Sequence, residues 1–349
     1  MSFNMSTDSP TSPPVYAVSQ NLQERFEWIT NVYITPIVAI IGITGNSVGL
    51  WVLAKNHDKR AQTIYPYLFA LMASHIPSLI LSLLLTLKEV LLFTDPVIGS
   101  LVNSYVLLYP SYIVYTLRCV TAAMVILMST ERLKALLQPR ANGNNPKKNA
   151  RWIILTVIIV SVVFMIPQYA VREVAKVTTM DNQTMYTALV KPENIDIFVI
   201  HVFIVAIALH YMAPAVVLVL GIMLLVTFSR HLKQRNALAS NQRSNINQTK
   251  LTVMVVCVAG MFIGFSIPIV FLQTLVFIDR RYNFDGEYKA TFFLLANMAD
   301  LFARLNACID VIVYILAAND FRSILRKIFC KCTRKTNKVT DSTVSTRLS

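Results

Sequence analysis

Two sets of charged residues stand where charge is costly. The first lies in Met128-Ser129-Thr130-Glu131-Arg132-Leu133, where an adjacent carboxylate and guanidinium close a long apolar run, Leu101 to Met128. The second is spread through other apolar runs: Lys88 and Glu89, Arg118, and the series Asp300, Arg304, Asn306, Asp310 and Tyr314. A charge inside hydrocarbon faces a bundle interior or a water-filled cavity, and there it is a functional candidate. Asp300 and Arg304 are one helical turn apart and can pair. Of Lys88 and Glu89, neighbours on a helix, at most one is expected to point inward. With His210 and Tyr211 these give the candidate binding residues Glu89, Arg118, His210, Tyr211, Asp300 and Arg304. Covalent chemistry is not indicated. The chain has no Gly-rich phosphate loop, no His-Glu-x-x-His and no Gly-x-Ser-x-Gly. Its histidines, His57, His75, His201, His210 and His231, lack metal-ligand spacing. No enzyme activity, cofactor or metal is expected.

The elements that must position these residues follow from composition. At 349 residues, 55% hydrophobic and 14% charged, the chain is too apolar for an ordinary soluble domain. Seven runs, near 32–54, 64–92, 101–130, 152–171, 198–229, 251–278 and 290–317, reach the roughly 20 residues that a membrane-crossing helix needs. The segments 55–63, 131–151, 230–250 and 318–349 hold 22 of the 32 Lys and Arg but only four acids. By the positive-inside rule that side is cytoplasmic and the N-terminus extracellular, as in a multi-pass plasma-membrane protein. The net charge of +14 follows topology and needs no nucleic-acid partner.

Residues 1–31 are polar and rich in Pro and Ser, without the apolar core of a signal peptide. They are expected to form a disordered extracellular tail, the first span serving as signal anchor. Asn4 and Asn182 head glycosylation acceptor tripeptides on the outer side. Asn46, within the first span, needs partners on neighbouring helices. In the sixth span Gly264 is expected to permit close approach and Pro268 to bend the helix. Cys119, Cys257 and Cys308 lie in spans, so no extracellular disulfide is expected. Residues 318–330 place apolar residues at helical spacing among bases, as an amphipathic helix along the inner interface, in contact with membrane lipids, would. Cys330 and Cys332 suit palmitoylation, and 331–349 form a polar disordered tail.

In order and spacing the chain resembles the rhodopsin-like (class A) G-protein-coupled receptors over roughly 32–329. The motif positions are Gly45-Asn46, Glu131-Arg132-Leu133 with Pro139, Pro214, Phe262 with Ser266 and Pro268, Asp310 to Tyr314, and Phe321-Arg322. The resemblance implies an all-α membrane protein, a seven-transmembrane helix bundle (32–317) with a short cytoplasmic amphipathic helix. Departures mark a divergent, invertebrate-type branch. His75 stands at the family's sodium-site aspartate, Ser266 at its tryptophan, Leu107 at its disulfide cysteine and Val311 at its seventh-span proline. The resemblance implies an extracellular ligand and a heterotrimeric G protein as partners. A cavity of mixed charge suits a peptide or zwitterion, so a neuropeptide is the preferred ligand and a chemosensory small molecule the alternative. The implied switch residues are Glu131, Arg132, Pro214, Phe262, Pro268, Asp310 and Tyr314. In it Glu131 restrains Arg132 until bends at Pro214 and Pro268 expose the arginine. A transporter or channel using Arg118, Asp300, Arg304 and Asp310 as an ion path is the rival from another class. No repeat between the halves of the chain favours it.

Overall fold

The structure, a computed structural model, describes residues 19–55, 64–138, 146–178, 184–238, 242–283 and 285–317. Among the described residues, seven helices are long and apolar enough to cross a membrane: Gln20–Lys55, Tyr65–Thr94, Pro96–Leu137, Asn149–Ala170, Pro192–Lys233, Thr249–Ile278 and Lys289–Asp310. They form the expected all-α bundle and are the first to seventh spans below. "Inner" denotes the ends joined by the basic segments. Asn4, Asn182, the segment 318–330, Cys330 and Cys332 lie outside the described residues.

The first span starts at Gln20 rather than near residue 32. Ser19 caps it by accepting from the Leu22 amide at 3.3 Å. Gln20 then donates to Glu24 and Gln23 to Glu27, each at 2.8 Å. Such a cap and i,i+4 pairs let a polar stretch be helical, which corrects the reading of 20–31 as disordered tail. Two π-helical segments interrupt the spans, Ile29–Ile34 in the first and Ala206–Met212 in the fifth. Each ends two residues before a proline, Pro36 and Pro214. A proline ring clashes with the carbonyl four residues back and lacks an amide, and a wider turn relieves both. The third span is two helices, Pro96–Leu108 and Pro110–Leu137, meeting at Tyr109.

Between the fourth and fifth spans lies a two-stranded hairpin that the helical reading did not contain. Strand β1 (Arg172–Thr178) pairs antiparallel with β2 (Thr184–Val190), Arg172 opposite Val190 and Thr178 opposite Thr184. The Tyr186 amide donates to Ser100 Oγ at 3.1 Å, which holds the hairpin against the outer part of the third span.

The core gathers Leu71, Met72, Met124, Met128, Val217, Leu224, Val255, Val258 and Phe262 from the second, third, fifth and sixth spans. Close approach occurs at Gly42, not at Gly264. A Cβ on Gly42 would lie 2.6 Å from Leu79 Cδ1 and 3.3 Å from the Cys308 Cα, whereas one on Gly264 would meet nothing within 4 Å. Beside Gly42, Asn46 Nδ2 donates to the carbonyls of Gly42 (2.8 Å) and Ala307 (2.9 Å). The buried asparagine thus ties the first span to the seventh. In the sixth span Ser266 Oγ donates to the Phe262 carbonyl at 2.6 Å. Such i−4 back-bonding bends helices, so it acts with Pro268 on the same turn.

Candidate functional site

The outer half of the bundle is organised by an ion pair across it. Arg118 on the third span donates to Asp300 on the seventh at 2.7 Å. Arg118 stands about two turns into the helix Pro110–Leu137, and the side chains of this pair are still 23% and 43% exposed. The pair thus bridges the third and seventh spans while keeping accessible surface. The Arg118 guanidinium lies 5.2 Å from the Tyr115 ring centroid. His210 is buried in the fifth-span π segment and sits in the field of both Arg118 and Asp300.

Arg304 does not take Asp300 as its hydrogen-bonded partner, contrary to the one-turn spacing. Its guanidinium turns to the first span, donating to Thr35 Oγ1 at 2.8 Å and to Asn31 Oδ1 at 3.4 Å. Asn31 passes the connection on: its Nδ2 donates to Glu89 Oε1 at 3.2 Å, and its carbonyl accepts from Thr86. Glu89 in turn pairs with Lys88 at 2.8 Å, and Lys88 reaches Glu27 at 3.7 Å. The expectation that only one of Lys88 and Glu89 would turn inward fails. Both are largely enclosed, 14% and 12% exposed, because the four-carbon lysine stem swings its ammonium round the helix.

Tyr211 stands apart from these charges. Its hydroxyl meets Thr274 Oγ1 at 3.0 Å, and its ring stacks on Phe277, which also contacts Phe203. It belongs to an aromatic wall between the fifth and sixth spans. His201 is structural. A carbonyl can only accept and an amide nitrogen only donate. His201 Nε2 therefore donates to the Phe164 carbonyl at 2.7 Å, while its Nδ1 accepts from Gln168 at 2.9 Å. The ring joins the fourth and fifth spans.

At the start of β1, on the outer side, the structure adds Arg172, a residue the sequence reading did not single out. The guanidinium lies 4.6 Å from the Phe198 ring centroid and 5.5 Å from that of Tyr112. A signal for the hairpin was present, in β-branched and aromatic residues on both sides of Asp181-Asn182. The loop after the sixth span closes on Arg281, which forks onto Asp279 at 2.7 Å and donates to the Tyr288 hydroxyl at 3.1 Å. Hydrogen bonds from Arg281 hold the Asp279 carboxyl below the usual carboxylate range.

At the inner end Arg132 is buried, and its Nε donates to Thr252 Oγ1 on the sixth span at 2.7 Å. Glu131 does not hold it. The Glu131 carboxylate pairs at 3.4 Å with Lys134, itself 67% exposed. Adjacent residues on a helix point about 100° apart, so the acid stays at the rim while the arginine turns in. His231 donates to the Leu136 carbonyl at 2.7 Å and links the inner ends of the fifth and third spans. Midway, His75 Nδ1 stands 3.6 Å from Asp310 Oδ2, both side chains buried. Phe262 is in the core. Pro214 follows the π segment, Pro268 lies inside the sixth helix, and Tyr314 is helical in the seventh.

Among known proteins, the family model described as serpentine type 7TM GPCR chemoreceptor Srw matches residues 33–332. The chain is also similar to a probable G-protein coupled receptor of Caenorhabditis elegans. The two are 22% identical, over 93% of this chain and 75% of that protein.

Proposed function

The chain belongs to the Srw family of serpentine type seven-transmembrane G-protein-coupled chemoreceptors, and from that membership we propose that it detects a small molecule at its outer cavity and passes the signal to a heterotrimeric G protein. It is a multi-pass membrane protein; the proposal puts it in the plasma membrane with the N-terminus outside. The family favours the chemosensory alternative, and the neuropeptide preference gives way to it. The observation that carries the reading is the Arg118–Asp300 pair, water-accessible and yet between spans. A polar ligand meeting that pair acts on the third and seventh spans at once. The third span also presents Arg132 at the inner end, held to the sixth through Thr252. The motif positions from Gly45-Asn46 to Tyr314 support a rhodopsin-like mode of switching, with bends at Pro214 and Pro268. A ligand drives such a switch only by its differential affinity, and roughly 5.5 kcal/mol carries a population from about 1:99 to 99:1.

The test is a small-molecule screen of the expressed chain with a promiscuous G-protein readout. Agonist responses are expected from the parent and are lost in Arg132→Ala at equal surface expression. An Arg132→Ala variant that couples as well as the parent would sink the signalling role of this end. Acylation at Cys330 and Cys332 and glycosylation at Asn4 and Asn182 are parts of the same proposal. Palmitate labelling of the double Cys→Ser variant, and a glycosidase mobility shift, test them.

A further inference from the structure

Of the arginines in the outer half, three already have their partners, Arg281 among them through Asp279. Arg118 holds Asp300 at 2.7 Å. Arg304, only 8% exposed, spends its donors on Thr35 and Asn31. Arg172 differs. Its Nε is buried without a hydrogen-bond partner. Among the described residues no carboxylate lies within ion-pair distance of it. Glu173, next along the strand, projects to the opposite face. Directly below, Tyr112 is 5% exposed, and its hydroxyl is also buried without a partner. Two unsatisfied donors therefore sit on neighbouring side chains, one of them cationic, and a buried donor left unsatisfied is costly.

The surroundings say what would satisfy them. Aromatic faces of Tyr112 and Phe198 lie against the Arg172 guanidinium, which fixes its plane and leaves its edge N–H groups to bind. A planar fork of donors matches a two-oxygen anion. Tyr112, Tyr115 and Arg118 follow one another at three-residue spacing along one face of the helix Pro110–Leu137, and the Arg118 guanidinium lies 5.2 Å from the Tyr115 ring, so the two pairs are neighbours along that face. We propose that the ligand carries a carboxylate, which the Arg172 guanidinium and the Tyr112 hydroxyl bind together at the roof of the cavity, while Arg118 and Asp300 read a polar group at its floor. This rests on the outer cavity being the ligand site. The carboxylate belongs either to a small organic acid or to the free C-terminus of a short peptide.

The experiment uses the full chain in lipid nanodiscs, without G protein, and measures direct binding. The probes are phenylacetate, hexanoate and a set of tripeptides with free C-termini, each beside its primary amide. At least one acid should bind saturably, with its amide at least about tenfold weaker. Whether that acid is a small molecule or a tripeptide identifies the source of the carboxylate. Arg172→Gln should weaken the acid roughly ten- to a hundredfold, and Tyr112→Phe several-fold, as losing a charged and a neutral hydrogen bond does. Arg172→Lys should fall between, keeping the charge without the fork. Thermal melting of each variant checks folding. Arg132→Ala should still bind acids in preference to their amides, so a chain that binds acids but activates no G protein sinks the signalling reading and leaves the anchor. Equal binding of acids and amides, parent-like binding by folded Arg172→Gln, or no binding by any acid would overturn the proposal.

Discussion

The Arg132 guanidinium and the Thr252 hydroxyl, 120 residues apart in the chain, meet at 2.7 Å with both side chains buried. The bond ties the inner end of the third span to the sixth, the pair of helices that would part to admit a G protein under the proposed function. A hydrogen bond to a charged group contributes about 1.5–3 kcal/mol. Thr252→Val should therefore raise basal G-protein activation, by about tenfold in the open population. Glu131→Gln should change it little, because an exposed pair such as Glu131–Lys134 contributes about 0–1 kcal/mol. Basal signalling at matched surface expression measures both, and activation by Glu131→Gln alone would reverse the assignment.

Breaking the Arg118–Asp300 pair should destabilise the outer bundle. A fully buried pair costs about 3–5 kcal/mol to break from one side. Water reaches Asp300, so about 1–3 kcal/mol is expected here for Asp300→Asn or Arg118→Gln. The double variant should cost less than the sum of the singles, since it leaves no lone charge whereas each single does. Melting of the solubilised protein across the four-member cycle gives the coupling, and strict additivity would mean that the 2.7 Å contact contributes nothing.

Sodium should not matter at the middle of the bundle. With His75 facing Asp310 at 3.6 Å, a ring nitrogen occupies the place where a second carboxylate would attract a cation. Replacing sodium by potassium at constant ionic strength should leave the melting temperature unchanged. His75→Asp sets two carboxylates face to face, which repel unless a cation or proton joins them, and that variant should become sodium-dependent. Sodium dependence in the parent would contradict the arrangement.

The hairpin is held without a covalent tether, since it contains no cysteine. Dithiothreitol should leave melting and ligand binding unchanged. Ser100→Ala removes the acceptor for the Tyr186 amide, and amide exchange at that residue should quicken about two- to tenfold, matching the 0.5–1.5 kcal/mol of one neutral hydrogen bond. Unchanged exchange would show that the strand is held elsewhere.

The spans were legible because about 20 apolar residues leave one architecture, and the residues that matter inside them because charges there are conspicuous. Their partners were not. Helical spacing pointed Asp300 at Arg304, yet the register between helices, which no single helix encodes, brought Arg118 to it instead. The same holds for Thr252, an unremarkable threonine until the third span is laid against it. The helical stretch Gln20–Trp28 was missed because it is polar and its stability comes from capping and from pairs with Lys88. Arg172 needed the hairpin to place it, and hairpin register depends on a turn rather than on hydropathy.

The two π segments fix the angular phase of what lies beyond them. A π turn amounts to one extra residue, and one residue rotates a helix by about 100°. Everything outward of Ile29–Ile34 and of Ala206–Met212 is thus turned relative to the inner parts of the same spans. That rotation sets Glu27 toward Lys88. Deleting a single residue from the first segment would swing Glu27 off the network while leaving the membrane-crossing length almost intact. Chains that differ here by one residue would share the bundle yet present a different outer face to the world.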